Sequence, residues 1–313
     1  MRHMIRLFNV NDYVVDTSKF SGLHDSIVEE FEQKIADFVG AKYACGVSSA
    51  TNAIFLSLLE KDTTITIPSV IPPVVCNAIL TSGNRVSFRD DINWVGDSYV
   101  FHEFDDYKIV DSAQKIVKDQ FKKECNPQDL MIFSFYPTKP IGGYDGGMIV
   151  SDDKDKIDWF KLMVKNGTRF NTKSWEREIV TPGFKMYLNA IQAYIADQNF
   201  KKLKDKYETL SKIRNKYNSE LNLTNTSNHL YRVNVSDRSA LFEEAKAASI
   251  ELGIHYKCLH KGTIYSTNSN DNFIMSEFDS DTTVSIPFHE KLTDENIEEV
   301  IKLVLKHDNI EYS

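Results

Sequence analysis

Residues 133–151 read Phe-Ser-Phe-Tyr-Pro-Thr-Lys-Pro-Ile-Gly-Gly-Tyr-Asp-Gly-Gly-Met-Ile-Val-Ser, with one lysine, Lys139, on a turn between two apolar runs. A lysine on a glycine-flanked turn between buried strands is poorly placed for solvation. Burial disfavours the charged amine, so its pKa falls and it becomes a nucleophile able to form a Schiff base with an aldehyde. The alternative is an ordinary surface lysine beside a hairpin, because lysines are mostly exposed. Two further segments carry compatible chemistry. Ser48-Ser49-Ala50-Thr51 stands between a short apolar strand and a helix, where backbone N–H groups and the helix dipole suit a phosphate. Lys108-Ile-Val-Asp111 is an apolar strand that delivers a carboxylate at its C-terminal end, where open α/β sheets place their ligands. A plain helix cap is the alternative for both segments.

The elements that must position these residues follow from apolar spacing. Ser26-Ile-Val-Glu29 reads as a capping box opening a helix with Ile27, Phe31, Ile35 and Phe38 on one face, and Gly40 can end it. Strands are expected at 43–47, 64–67, 85–88, 98–101, 108–110, 129–135 and 147–150, with a helix over 53–59. Alternation of this kind predicts an α/β fold, a mostly parallel central sheet with helices on both faces. From Leu188 a long helical pattern runs to Leu221 and leads to a smaller C-terminal α/β domain. That domain holds a strand at 230–235, a helix at 239–252 and a last helix opened by Thr293-Asp294-Glu295. The boundary is set near residue 205, giving a large domain over 1–205 and a small one over 206–313.

The chain has 313 residues, 42% of them hydrophobic, and a formal charge of −8, as expected of a soluble globular protein. The acidity argues against nucleic acid or an anionic membrane as the main partner. Cys45, Cys76, Cys125 and Cys258 lack paired or metal-like spacing, which fits a reduced, cytoplasmic protein without a zinc site. The N-terminal residues lack the apolar core of a signal peptide, and no run is long enough to span a membrane.

In combination these motifs resemble the DegT/StrS group of sugar aminotransferases, fold-type I enzymes that use pyridoxal 5′-phosphate (PLP). The resemblance runs from about residue 27 to 304. The family's Ser-Phe-His-x-x-Lys followed by a Gly-Gly strand appears as Ser134-Phe135-Tyr136-Pro137-Thr138-Lys139, then Gly146-Gly147. It implies that Lys139 carries PLP, that Ser49, Ala50 and Thr51 hold the phosphate with the Ser134 hydroxyl, and that Asp111 faces the pyridine nitrogen with Gln114 beside it. Pro182–Ala193 resembles a segment that reaches into the partner subunit, which implies a homodimer and a cofactor contact from Tyr187. Tyr136 and His260 match substrate-side positions; for His255, His260 and His289 a structural histidine is an equal alternative. The substrate implied is a nucleotide-linked keto-deoxysugar with glutamate as amino donor.

Two departures stand out. Pro72 falls where the family places an aromatic ring over the cofactor, and stacking of that kind contributes roughly 0.5–1.5 kcal/mol. The stretch from Thr81 to Asp111 lacks roughly 30 residues, about one βα unit, so either the fold is trimmed there, uncovering sheet or opening the site, or a partner covers the gap. With Tyr187 these departures favour a non-catalytic protein on the same scaffold, whereas Lys139 and Asp111 favour an enzyme. Another PLP reaction on an amino sugar or amino acid is the third reading.

Overall fold

The computed structural model describes residues 4–10, 13, 15, 16, 18, 20, 22, 24–170, 176–265 and 272–307. In chain order its elements are α1 (Ser26–Val39), β1 (Tyr43–Val47), α2 (Ala50–Ser57), β2 (Thr64–Pro68), α3 (Pro73–Thr81), β3 (Arg85–Arg89), β4 (Tyr99–Glu103) and β5 (Lys108–Asp111). There follow α4 (Gln120–Glu124), β6 (Leu130–Ser134), β7 (Gly147–Ser151), α5 (Lys154–Met163), β8 (Thr168–Phe170), β9 (Arg177–Ile179), α6 (Ala190–Lys201) and α7 (Leu203–Leu221). The last are β10 (Tyr231–Asn234), α8 (Arg238–Ala247), α9 (Ile274–Thr282), β11 (Thr283–Ile286) and α10 (Asp294–Val304).

The central sheet has the order β1-β7-β6-β5-β4. Alternate residues of its strands go to opposite cores, as a period of two requires. Cys45, Ile109, Ile132 and Ile149 join the core under α2 and α3. Their neighbours Ala44, Val110, Met131 and Val150 join the core under α1 and α6. Helices therefore cover both faces.

The sheet is mixed, and the expectation of a mostly parallel one is corrected. β5·β6 is parallel, whereas β1·β7, β6·β7 and β4·β5 are antiparallel. The connections explain this. Among neighbours of this sheet that also follow one another in sequence, only β5 and β6 are joined through a helix, α4; the 135–146 link between β6 and β7 carries none, and 104–107 is a hairpin turn. β2 and β3 form a separate parallel pair.

Within the short 81–111 stretch the chain runs from β3 to β4 as a loop over 90–98 without a helix, and β4 folds back on β5 as the sheet's edge. Trp94, only 5% exposed, fills the space under that loop.

Two local corrections follow from backbone geometry. Asp25, not Ser26, is the N-cap of α1: it holds extended φ/ψ and accepts from the Ile27 N–H, while Ser26 is already helical. The helical pattern after Leu188 is two helices that part at Lys202, because α6 packs against α1 and α7 against α10. A third core gathers Leu210, Ile213, Tyr217 and Leu221 of α7 with β10, β11, α8 and α10, while Leu203 belongs to the core under α1. Among the described residues no helix is long and apolar enough to cross a membrane.

Candidate active site

Side-chain parity puts Asp111 and Ser134 on the same sheet face as α2. Asp111 shares the phase of Ile109, and Ser134 that of Ile132. Asp111 ends β5 and is buried. Its Oδ1 accepts the Ala113 N–H at 2.9 Å, and its Oδ2 accepts the Tyr99 hydroxyl at 3.1 Å. Burial pushes the carboxyl above its ordinary range, and the two hydrogen bonds and the Lys139 charge work against that rise.

Lys139 follows β6 on a turn in which its own N–H donates to the Tyr136 carbonyl at 2.8 Å. Burial lowers its amine to about 8, and the nearby Asp111 charge limits the fall. Its Nζ stands 3.4 Å from His229 Nε2. His229 lies just ahead of β10, and its ring stacks on Phe8 at 5.9 Å. Burial, then Lys139, His255 and Lys206, hold His229 well below the ordinary histidine pKa. His255 is lowered to about 4 by burial, then by Lys139 and Arg232. Lys139 thus faces neutral imidazoles and one buried carboxyl.

Ser49 caps α2 by accepting the Asn52 N–H at 3.2 Å. Among the described residues the N–H groups of Ala50 and Thr51 have no acceptor. Gly147 lets α2 sit close to the sheet: a Cβ there would stand 2.7 Å from Ala50 N. Ser134 Oγ accepts the Tyr136 N–H at 3.3 Å. Gln114 is committed at both ends, its Oε1 accepting from Gly96 N at 2.8 Å and its Nε2 donating to the Tyr256 hydroxyl at 3.2 Å.

The remaining expected residues lie further out. Tyr136 is 55% exposed on the turn. Tyr187 pairs with Val47 of its own chain as an isolated bridge, and its ring packs on His24 at 4.2 Å. Both nitrogens of His260 are engaged: Nδ1 lies 2.6 Å from Ser69 Oγ and Nε2 lies 3.2 Å from Glu277 Oε1. Its ring stacks on Phe273 at 4.0 Å. Pro72 serves as the residue before α3, followed by Pro73 at the first helical position.

Sequence reading missed His229, Trp94, Tyr99 and Tyr256. Trp94 stacks parallel to Tyr256 at 6.0 Å, packs on Tyr99 at 4.9 Å and donates its indole N–H to the Val70 carbonyl at 3.1 Å. Tyr99 was out of reach of the sequence: the register that sets it opposite Asp111 depends on a bulge at Phe101, between Val100 and His102, that apolar spacing does not announce. No spacing signal links His229 to Lys139.

The family model described as the DegT/DnrJ/EryC1/StrS aminotransferase family matches residues 13–93 and 107–305. It leaves out 94–106, which carries β4. The chain is 26% identical over 328 residues to the UDP-4-amino-4,6-dideoxy-N-acetyl-beta-L-altrosamine transaminase of Campylobacter jejuni, covering 85% of each. Among solved structures it resembles the aminotransferase TlmJ from Streptoalloteichus hindustanus, with a TM-score of 0.79 and 20% identity over 96% of this chain and 98% of that one. A putative sugar aminotransferase, Spr1654 from Streptococcus pneumoniae in its PLP form, gives 0.76 and 18% over 94% and 96%. At those identities the two structures establish the fold; the family match, which spans most of the chain, goes further, and the chain belongs to the DegT/DnrJ/EryC1/StrS aminotransferase family.

Proposed function

We propose that the protein is a PLP-dependent aminotransferase that transfers an amino group, with glutamate as donor, to a nucleotide-linked keto-deoxysugar. The observation that carries this reading is Lys139, buried, lowered to about 8 and within electrostatic reach of Asp111. The residues present fit PLP on three counts. Ala50 and Thr51 offer free N–H groups at a helix N-terminus, with the Ser134 hydroxyl on the same sheet face, for a phosphate. Asp111 offers a buried carboxylate for a pyridine nitrogen, and Lys139 an amine of depressed pKa for a carbonyl.

PLP, when bound, supplies a carbonyl for amine exchange and a ring that takes up an electron pair. The chain's own groups do the rest. Lys139 Nζ is the nucleophile and then the group that takes a proton from the substrate carbon and returns it. Neutral His229 Nε2, 3.4 Å away, accepts a hydrogen bond from that amine and holds it whenever it is not covalently engaged. Asp111 would hold a negative charge toward the ring nitrogen, and the N-terminal end of α2 would hold the phosphate. Gln114 braces the Asp111 side through Gly96 and Tyr256.

The substrate class rests on the Campylobacter jejuni relative, which is named for a UDP-linked amino-dideoxy sugar. Exposed Tyr136 lies at the mouth of the Lys139 turn, where the sugar enters. The active form is a homodimer in the cytoplasm. The test is spectroscopic: glutamate bleaches the visible band of the PLP-loaded protein and yields 2-oxoglutarate, and one or a few nucleotide keto-sugars restore the band. A band that glutamate leaves unchanged removes the transaminase reading and favours the non-catalytic one.

A further inference from the structure

Tyr99 and Asp111 are directly opposite residues of the antiparallel β4·β5 pair. Such partners have neighbouring side chains on one face of the sheet. The Tyr99 hydroxyl donates to Asp111 Oδ2 at 3.1 Å while the Ala113 N–H holds Oδ1 at 2.9 Å. Gripped at both oxygens, the carboxylate cannot rotate about its terminal bond, and each oxygen keeps a further lone pair for another donor. Tyr99 is itself fixed: it is 8% exposed, packs on Trp94, and lies beneath the Arg89 guanidinium at 5.8 Å. Burial, then the Asp111 charge, push its phenol well above the ordinary value, so it stays a donor.

β4 belongs to the 94–106 stretch that the family model skips. The stretch outside the family match thus supplies the strand that sets a tyrosine against the carboxylate. We propose that Tyr99 is a positioning residue for Asp111, fixing the carboxylate in the orientation in which it meets the pyridine nitrogen of PLP. The proposal rests on the PLP reading above.

The experiment compares wild type, Tyr99→Phe, Asp111→Asn and the double variant, each as full-length protein loaded with PLP. PLP affinity is read by titration, the visible spectrum is followed against pH, and the glutamate half-reaction by single turnover. Phe removes only the hydroxyl, and thermal melting serves as the fold control. Hydrogen bonds to charged groups correspond to roughly 10- to 100-fold effects, so Tyr99→Phe is expected to slow the half-reaction by about that factor. It should also alter the pH dependence of the spectrum. In the Asp111→Asn background the same change should cost less than about threefold, because the two sites are coupled. Equal losses in both backgrounds, at matched melting temperatures, overturn the positioning role. So does a Tyr99→Phe protein that binds PLP more tightly and reacts faster, which would mean the hydroxyl stands in the cofactor's place. Wild type that takes up no PLP overturns the functional reading together with this one. Should Tyr99→Phe fail to fold, 3-fluorotyrosine placed at position 99 keeps the ring and changes only the hydroxyl's donor strength: an altered pH response of the visible band supports the role, and an unaltered one contradicts it.

Discussion

A lysine amine near 8 is part neutral at physiological pH, and only the neutral form attacks a carbonyl. Because the pKa is lowered by burial, the reactive fraction grows as pH rises and levels off once pH passes it. PLP attachment to the apoprotein should therefore accelerate about tenfold per pH unit well below 8 and flatten above it. Stopped-flow absorbance measures this; a profile still climbing steeply beyond pH 9 would place the lysine at its ordinary value (about 10.4). Asp111→Asn keeps the shape and removes the charge, so turnover should fall by orders of magnitude with PLP still bound. Near-normal turnover would assign the ring nitrogen to another carboxylate. His229→Leu deletes the acceptor facing Nζ and should slow the half-reaction about tenfold or more while the fold survives, a loss of the size general acid–base partners give. Asp111 and Lys139 were legible because each ends or follows an apolar strand. His229 was not: its contact with Lys139 spans sequence positions 90 apart and depends on how β10 docks.

Helix α2 and strand β7 meet at Gly147, where a Cβ would stand 2.7 Å from Ala50 N and 2.9 Å from the Phe133 carbonyl. Both are backbone atoms, so neither yields cheaply. Gly147→Ala should cost about 1–3 kcal/mol of stability and weaken PLP uptake by displacing the N-terminal end of α2. Thermal melts and PLP titration check the two effects separately, and a variant with normal uptake would show that the seating of α2 does not matter. Most elements could be read from apolar period alone, as with Phe31 and Ile35 on the buried face of α1, although Val39 rather than Phe38 completes that face. Strand direction could not, because it depends on whether a link carries a helix across the sheet, and the 135–146 link has the length of a crossover without the helix. The α1 cap was misplaced by one residue, since Asp25 and Ser26 are both good caps and only backbone angles decide between them.

At the scale of the molecule, Lys139 sits where residues of the central sheet meet His229 from the α7–β10 region, so the site depends on how the third core docks against the other two. The segment around Tyr187 lies along Val47 at the entry to α2, and the family likeness of 182–193 makes this the expected place for a second subunit. We expect a homodimer by light scattering at micromolar concentration; a fully active monomer would contradict that expectation. The central claim, that Lys139 is the lysine that carries PLP, has a direct test. The protein is loaded with PLP, reduced with borohydride, digested and mapped by mass spectrometry. The account predicts a phosphopyridoxyl group on the peptide containing Lys139 and its loss in Lys139→Ala. Label on another lysine, Lys185 or Lys206 for example, or label that persists in Lys139→Ala, would contradict it.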